Sequence, residues 1–418
     1  MAKILIKNVE LNGEIVDVLI ENKRFKKIAP KILENIDNAQ IIDGTDKAIL
    51  PPFYNTHTHA AMSLLRSYAD DKELFDWLQN YIWPLEAKLT PQDVYIGSRL
   101  AFLEMIKSGT VFACDMYWHQ LETARAAEEM GIRVAVGEMF LQSTPELNEM
   151  NRKNNIELEK LRGKSELVEI MLDPHAIYTV PKEILKTVAE KMKKEDFRLT
   201  IHASETPLEV ENCFTEHHIS PIAYLESLGL LTEKTVLAHC VHLFDDDIKV
   251  IRDTGAVIAH NPVSNMKLNS GRFRFHDCLE AGCNITLGTD GACSNNNLSM
   301  LDEMKFAALS AKSQYSSPTA GKDVDVFKIA TVNGAKAFDI DAGEIKEGKL
   351  ADAMLIDLNN HFMIADYKLI SNMVYSADSS VVDSVICNGE VLMLNRKVRD
   401  EDEIIREAKK CCASLKNR

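Results

Sequence analysis

Eight short apolar runs, separated by longer helical patterns, restrict most strongly how this 418-residue chain can fold. Near-continuous apolar strands are typical of parallel sheets that are covered on both faces. Amphipathic patterns such as Pro91–Ser108 and Leu121–Met130 lie between the runs. Eight strand–helix units predict a (β/α)8 TIM barrel. The predicted strands are Ile49–His59, Thr110–Met116, Arg133–Phe140, Val168–Asp173, Leu199–His202, Val236–His239, Ala256–His260 and Ile285–Asp290.

Both ends of the chain carry a different pattern, in which short strands alternate with tight turns. Asn12-Gly13 and Asn388-Gly389 indicate hairpins, because Asn-Gly accepts positive φ angles. We therefore expect residues 1–54 and 345–418 to form one small β-sandwich domain. Residues 55–344 are then the inserted catalytic barrel, and residues 400–418 indicate a charged amphipathic helix.

Composition restricts the class of partner and the compartment. A net charge of -15 argues against nucleic acid or an anionic membrane as the main partner, since both need a basic surface. No apolar run approaches the roughly 20 residues of a membrane span. Nine scattered cysteines without a Cys-x-x-Cys pair favour reduced thiols over a disulfide framework. These features predict a cytoplasmic protein.

Polar residues follow the predicted strands at the point where each strand ends. In barrels of this kind the chemistry lies at the C-terminal ends of the strands. Six of the twelve histidines are found there, which buried structural histidines scattered through a fold would not explain. The residues at these positions are His57, His59, His175, His202 with the nearby Glu205, His239, His260 and Asp290.

A metal site is the simplest interpretation of this set. His57 and His59 are two positions apart on a strand and therefore point the same way. Together with His202 and Asp290 they supply three imidazoles and one carboxylate, a ligand set suited to a catalytic zinc or iron ion. No lysine ends the fourth strand, so a carbamylated lysine bridging two metals is not expected. One divalent metal is favoured, zinc before iron.

Several motifs carry a resemblance to a known family. They resemble the amidohydrolase superfamily, and within it the mononuclear branch of 5′-methylthioadenosine/S-adenosylhomocysteine deaminases and triazine chlorohydrolases. The resemblance covers the chain from Ile4 to about Lys397. The motifs are Asn55-Thr56-His57-Thr58-His59, Leu85-Glu86, His202-Ala203-Ser204-Glu205, Ala238-His239-Cys240-Val241-His242, His260 to Leu268 and Gly288 to Asn296.

The resemblance implies a role for each matching residue. It implies metal ligation by His57, His59, His202 and Asp290, and catalysis by Glu205, His239 and Asp290. It also implies substrate binding, with Glu86 at the ribose hydroxyls, His175 and Ser294 at the purine, and Trp77 in the pocket wall. Dimers or tetramers are usual for such proteins, so a homo-oligomer is expected.

Two departures from the family pattern affect the expected substrate. Relatives that act on S-adenosylhomocysteine carry an arginine near the end of the third strand, where the alignment places Glu138 here. Arg152 is the candidate replacement for that arginine. The segment Arg272–Phe275 also brings cationic and aromatic bulk to the loop after the seventh strand. Both departures favour a nucleoside with a neutral or cationic 5′ group.

The reaction expected from this set is hydrolytic deamination of an adenine nucleoside, of the adenosine, 5′-deoxyadenosine, 5′-methylthioadenosine or S-adenosylhomocysteine type. Two alternatives remain open at this point. One is hydrolysis of another substrate, such as guanine, cytosine, a triazine or an iminohydrolase substrate. The other is a non-catalytic scaffold on the same barrel.

Overall fold

The computed structural model describes residues 3–33 and 38–418. The chain begins with five short strands that precede the barrel. Asn12 and Gly13 both have positive φ angles at the turn between the first two strands, as the Asn-Gly signal predicts. The strands are β1 (Lys3–Leu11), β2 (Glu14–Glu21), β3 (Arg24–Ala29), β4 (Ala39–Asp43) and β5 (Lys47–Leu50).

A closed parallel barrel follows, and the prediction of eight strands is confirmed. The eighth strand is interrupted at Gly288 and Thr289, and its second part, β14, pairs with β6 to close the ring. The barrel strands are β6 (Phe53–His59), β7 (Thr110–Asp115), β8 (Arg133–Phe140), β9 (Val168–Pro174), β10 (Leu199–Ala203), β11 (Thr235–His239), β12 (Val257–His260), β13 (Asn284–Leu287) and β14 (Asp290–Gly291).

The strands after the barrel return to those before it. β15 pairs antiparallel with β5, and β1 pairs with β2, β4 and β5, so both chain ends contribute to one branched sheet. The predicted fold class, a TIM barrel with a small β unit built from both ends, is confirmed. The last strands are β15 (Ala353–Asp357), β16 (Val382–Cys387), β17 (Glu390–Leu394) and β18 (Lys397–Val398).

The helices surround the barrel, and none among the described residues is long and apolar enough to cross a membrane. Gly131 ends one of them with a φ of 76°, a left-handed conformation that glycine adopts without steric cost. The helices are α1 (Leu74–Trp77), α2 (Trp83–Glu86), α3 (Pro91–Lys107), α4 (Gln120–Met130), α5 (Pro145–Glu159), α6 (Lys182–Glu195), α7 (Pro207–His217), α8 (Pro221–Ser227), α9 (Asp245–Thr254), α10 (Pro262–Lys267), α11 (Phe275–Ala281), α12 (Met300–Tyr315), α13 (Asp323–Ala330), α14 (Val332–Ala337), α15 (Leu369–Tyr375) and α16 (Glu401–Leu415).

A buried ion pair joins the barrel to the small sheet. The guanidinium of Arg133, on β8, donates to the carboxylate of Asp352, next to β15. The same carboxylate accepts from the Tyr54 hydroxyl at 2.8 Å and from the backbone N–H of Asn388 at 2.6 Å. The buried Asp352 carboxylate therefore has partners from both parts of the molecule.

Replacing Arg133 with methionine tests this connection. Arg133→Met leaves the Asp352 carboxylate buried without its cation, which typically costs about 3–5 kcal/mol of the free energy of unfolding. The matched control is Arg252→Met, whose partner Asp253 is exposed, because exposed pairs contribute about 0–1 kcal/mol. Urea denaturation followed by circular dichroism measures both. Equal small losses in the two variants would contradict the role assigned to the pair.

Candidate metal centre and substrate pocket

Three histidines and an aspartate meet at the C-terminal end of the barrel. One ring nitrogen each of His57, His59 and His202 lies within 4.8 Å of the others. The same holds for a second group, in which His57 is joined by His239 and Asp290. The Nε2 atom of His59 lies 3.2 Å from a carboxylate oxygen of Asp290. The structure thus brings together all four predicted metal ligands and His239.

Backbone carbonyls orient two of these imidazoles. The Nδ1 atom of His59 hydrogen-bonds the carbonyl of Met116, and Nδ1 of His202 hydrogen-bonds the carbonyl of His175 at 2.7 Å. A carbonyl accepts only, so both Nδ1 atoms carry a proton. Burial holds the pKa of His202 well below its usual value, so its Nε2 presents a lone pair. Burial also lowers the pKa of His59, but the adjacent Asp290 carboxylate outweighs this and raises it to about 9, so a metal ion would displace a proton from its Nε2. This arrangement is typical of histidines that bind metals.

His57 supplies the test of whether a metal fits. Its ring is completely buried, yet neither ring nitrogen has a hydrogen-bond partner among the described residues. Burial lowers the pKa of His57 to about 4, which keeps the ring neutral and able to donate a lone pair. A buried imidazole with no protein partner, beside oriented Nε2 atoms and a carboxylate, fits one divalent metal ion.

Asp290 is held by two hydroxyls on one side of its carboxylate. Ser264 donates to Oδ2 at 2.5 Å and Ser294 at 2.8 Å, while Oδ1 faces His57 and His59. Ser294 was expected to contact the purine. Its buried hydroxyl is instead directed at Asp290, because the turn after β14 folds its side chain back towards that carboxylate.

Glu205 and His239 form the second part of the site. Nε2 of His239 lies 3.8 Å from Oε2 of Glu205, and Nδ1 hydrogen-bonds Oδ1 of Asn265 at 2.8 Å. Ser270 donates to the other oxygen of Glu205 at 3.2 Å. Burial raises the pKa of Glu205, which favours its protonated form. A protonated carboxyl in a pocket can donate a proton to a substrate.

The backbone is strained at two of these residues. His239 has a φ of 73° and Asp290 a φ of 59°, a conformation that non-glycine residues rarely adopt. Such conformations cost about 1–3 kcal/mol each and cluster at functional sites. The strain turns both side chains inward at the ends of β11 and the eighth strand.

A single pocket above the metal cluster contains most of the predicted substrate residues, Trp77, Glu86 and His175 among them. The indole N–H of Trp118 donates to Glu86 at 3.3 Å. The other Glu86 oxygen is buried with no hydrogen-bond partner in the described part of the chain. The pocket is lined by His59, Met62, Leu74, Trp77, Leu78, Trp83, Glu86, Met116, Tyr117, Trp118, Met139, Leu141, His175, Tyr178, His202, Glu205, His239, Leu268 and Asp290.

One irregular helical segment covers this pocket. It runs through α1 and α2, with a π-helical turn at Leu78–Ile82 between them. Pro84 lies just after this turn and has no N–H to donate to the preceding turn, so a regular α-helix is disfavoured there. Trp77, before the π turn, and Glu86, after it, both face the pocket. Such turns are frequent at functional sites.

The structure does not bring Glu138 into the pocket, which corrects the prediction that it contacts substrate. Its carboxylate is buried against the Nζ atom of Lys191, at 2.7 and 2.9 Å. The physical reason is the alternation of side chains along β8, because the next residue, Met139, lines the pocket. Arg152, the suggested replacement cation, pairs with Glu149 and is 61% exposed.

The loop after the seventh strand also lies outside the metal cluster. The ring of Phe273 stacks on His260 with ring centres 4.3 Å apart, and burial lowers the pKa of His260 to about 3. Arg274 is paired with Asp245 and Asp277. His260 therefore packs against the rings of Phe273 and Phe275 and belongs to neither group of candidate metal ligands among the described residues.

Sequence reasoning missed the residues that orient the reactive groups. Ser264, Asn265 and Ser270 were not assigned roles, although the first two lie within a motif that had been noted. Their hydrogen bonds to Asp290, His239 and Glu205 are between residues distant in sequence. Short polar residues in loops show no helical or strand periodicity from which their contacts can be predicted. The sequence signal for these three residues is that they follow His260 closely in the chain.

Comparison with known proteins places these observations in a family. A model of the amidohydrolase family matches residues 48–392. A 5-methylthioadenosine/S-adenosylhomocysteine deaminase of Archaeoglobus fulgidus is 45% identical over 406 residues, covering 96% of this chain and 95% of the relative. A 5′-deoxyadenosine deaminase of Methanocaldococcus jannaschii is 41% identical over 405 residues, covering 96% of each chain.

Solved structures show the same architecture. An adenosine deaminase from Xanthomonas campestris with bound zinc superimposes with a TM-score of 0.92 at 28% identity, covering 100% of this chain and 99% of that one. A triazine hydrolase superimposes with a TM-score of 0.89 at 21% identity, covering 98% and 99%, and shows the fold alone. With its closed barrel, its His/Asp cluster and a family match over most of its length, the chain belongs to the amidohydrolase family.

Proposed function

We propose that this protein is a hydrolytic deaminase of adenine nucleosides. The observation that carries the proposal is the position of Glu86 in the same pocket as Glu205, His239 and Asp290. Burial raises the pKa of Glu86, while the Tyr117 hydroxyl and the Trp118 indole beside it favour the carboxylate. The oxygens of this carboxylate can accept hydrogen bonds from the two vicinal hydroxyls of a ribose. The similarity to relatives named as deaminases of adenine nucleosides supports the same substrate class.

A divalent metal, which we propose to be zinc, would be held by His57, His59, His202 and Asp290. When bound it supplies Lewis acidity, which makes water a nucleophile near neutral pH. The similarity to a zinc-containing adenosine deaminase supports this choice of metal.

The protein side chains move the protons of the reaction. The oxygen of the attacking water bonds to the amino-bearing ring carbon. Asp290, assisted by His239, accepts a proton from this water. Glu205 donates a proton to the adjacent ring nitrogen, so negative charge does not accumulate on the purine. The proton held by Asp290 then passes to the amino group, the C–N bond breaks and ammonia leaves. The hydroxyl on the ring carbon returns its proton to Glu205, which gives the carbonyl of the inosine analogue. His175, which lines the pocket, can hydrogen-bond a ring nitrogen.

Replacing Glu205 tests whether its carboxyl group donates a proton to the substrate. We expect Glu205→Gln to lower kcat by about 10²–10⁴-fold, since an amide cannot donate the carboxyl proton. Metal content and thermal stability should stay close to those of the wild type. The matched control is Glu211→Gln on the exposed face of α7, which should retain full activity. Turnover like that of the wild type in the metal-loaded Glu205 variant would refute the role.

The second prediction separates nucleosides from other heterocycles. Glu86→Gln should lower kcat/KM for adenosine about 10–100-fold, because hydrogen bonds to charged groups contribute about 1.5–3 kcal/mol. The change should appear largely in KM. Free adenine, guanine and a triazine are the comparison substrates, measured by ultraviolet absorbance. If one of these bases is hydrolysed faster than adenosine by the unmodified enzyme, the nucleoside assignment is wrong.

The third prediction concerns the metal. Dialysis against a chelator should abolish activity and lower the melting temperature, because a ligand at 1,000 times its Kd stabilises the folded state by about 4 kcal/mol. Adding Zn²⁺ should restore both, with anaerobic Fe²⁺ as the comparison. Full restoration by Fe²⁺ together with none by Zn²⁺ would exclude zinc as the metal.

A further inference from the structure

A second cavity of about 300 Å³ opens from the substrate pocket. The two share Trp83, Glu86, Trp118 and Leu141 as lining residues. His59, His202 and Asp290 line only the first of them. The second cavity, called the outer chamber below, therefore begins at Glu86 and extends away from the metal cluster towards α5.

The outer chamber is apolar on its far side. Leu147 and Met150 project into it from α5 and are half-buried, and Leu89 is buried on the opposite wall. No lysine or arginine among the described residues lines it. His119 also lines the chamber, and burial lowers its pKa, so it is a neutral ring.

The nearest cation on α5 faces another direction. Arg152 is two residues beyond Met150, and neighbours at that spacing do not share a helix face. Its guanidinium is bound to Glu149 at 2.8 and 2.9 Å. Arg152 therefore supplies no positive charge to the chamber.

The N-terminus of α5 gives little compensation for this lack of a cation. Pro145 has no N–H, and the N–H of Leu147 already donates to Thr144 at 3.4 Å. Glu146, in the first turn, opposes the partial positive charge of the helix end. An anion in the outer chamber would thus meet neutral groups and the acid Glu86, with the acidic first turn of α5 nearby.

We propose that the outer chamber receives the 5′ substituent of the nucleoside and selects a neutral, apolar one. This inference rests on the proposed function: with the adenine at the metal cluster and the ribose at Glu86, the 5′ carbon points into the chamber. An alkylthio or deoxy group buries apolar surface against Leu147 and Met150. The carboxylate of an amino-acid tail would lose its hydration in the chamber and find no cation there, which lowers the affinity for such a substrate.

A matched pair of substrates tests the proposal. 5′-Propylthioadenosine and S-adenosylhomocysteine have the same thioether chain, and only the second carries an ammonium and a carboxylate. We expect kcat/KM for the propylthio compound to exceed that for S-adenosylhomocysteine tenfold or more. From 5′-methylthio to 5′-propylthio, KM should fall up to about fourfold per methylene, as burial of apolar groups predicts.

Placing a cation in the chamber should reverse the preference. Met150→Arg should raise the ratio of kcat/KM for S-adenosylhomocysteine over the propylthio compound at least tenfold, and Leu147→Arg is a second variant in case the first does not fold. The control is Ile156→Arg, which adds the same charge to an exposed position of α5 outside the chamber and should leave the ratio unchanged.

The outcomes separate the two levels of inference. Equal or better use of S-adenosylhomocysteine by the unmodified enzyme, or an unchanged ratio in both chamber variants, would overturn the role of the outer chamber while adenine nucleosides are still deaminated. Failure to deaminate any of the nucleosides, adenosine included, would instead overturn the proposed function.

Discussion

The pairing of the first and last barrel strands is the interaction on which the site depends. Asp290 pairs with Thr58 in parallel register, and the Thr58 hydroxyl donates to the Asp290 carbonyl at 3.0 Å. Just before them, the Asn55 side chain donates to the Thr289 hydroxyl at 2.7 Å and accepts from its N–H at 3.1 Å. Because side chains alternate along a strand, a shift of one residue would turn the two histidines beside Thr58 away from the carboxylate. The strand pairing that closes the barrel therefore also brings His57, His59 and Asp290 together.

The register alone would not create a metal site, since neutral imidazoles must also present the correct nitrogen. Carbonyls at the ends of β7 and β9 achieve this for His59 and His202, and the barrel wall supplies those carbonyls at fixed positions. Burial then disfavours protonation of His57 and His202, so the rings stay available as ligands. The same burial raises the pKa of Glu205, which favours the protonated carboxyl that the proposed role as proton donor requires. One dry environment thus gives imidazoles and a carboxyl opposite chemical roles.

The sequence allowed the barrel to be predicted, as well as the meeting of His57, His59, His202 and Asp290 at its C-terminal end, because both depend on local patterns. Strand periodicity located the strand ends, and residue type there indicated the chemistry. Glu138 shows where this reasoning fails: it and Met139 differ by one position, yet one binds Lys191 and the other lines the pocket. An alignment that is displaced by one residue assigns the side chain to the opposite face of the strand. At Ser294 the hydrogen bonds of the side chain depend on loop geometry, which directs its hydroxyl to the Asp290 carboxylate and the Gly291 carbonyl and which a local sequence pattern does not specify.

The proposed reactive groups lie in the substrate pocket, whereas selection of the 5′ substituent is proposed for the outer chamber. The walls of the two cavities differ in how rigidly they are held. The residues that would bind metal and move protons end strands of a closed ring, where displacement of one residue breaks ladder hydrogen bonds. Leu147 and Met150 of the outer chamber belong to α5, in which two side chains, Asn151 and Leu158, are buried. Substitutions at its half-exposed positions typically change stability by no more than about 0.5 kcal/mol. The tail of the substrate is thus read by a surface helix whose sequence can change while the ligand register of the barrel stays intact.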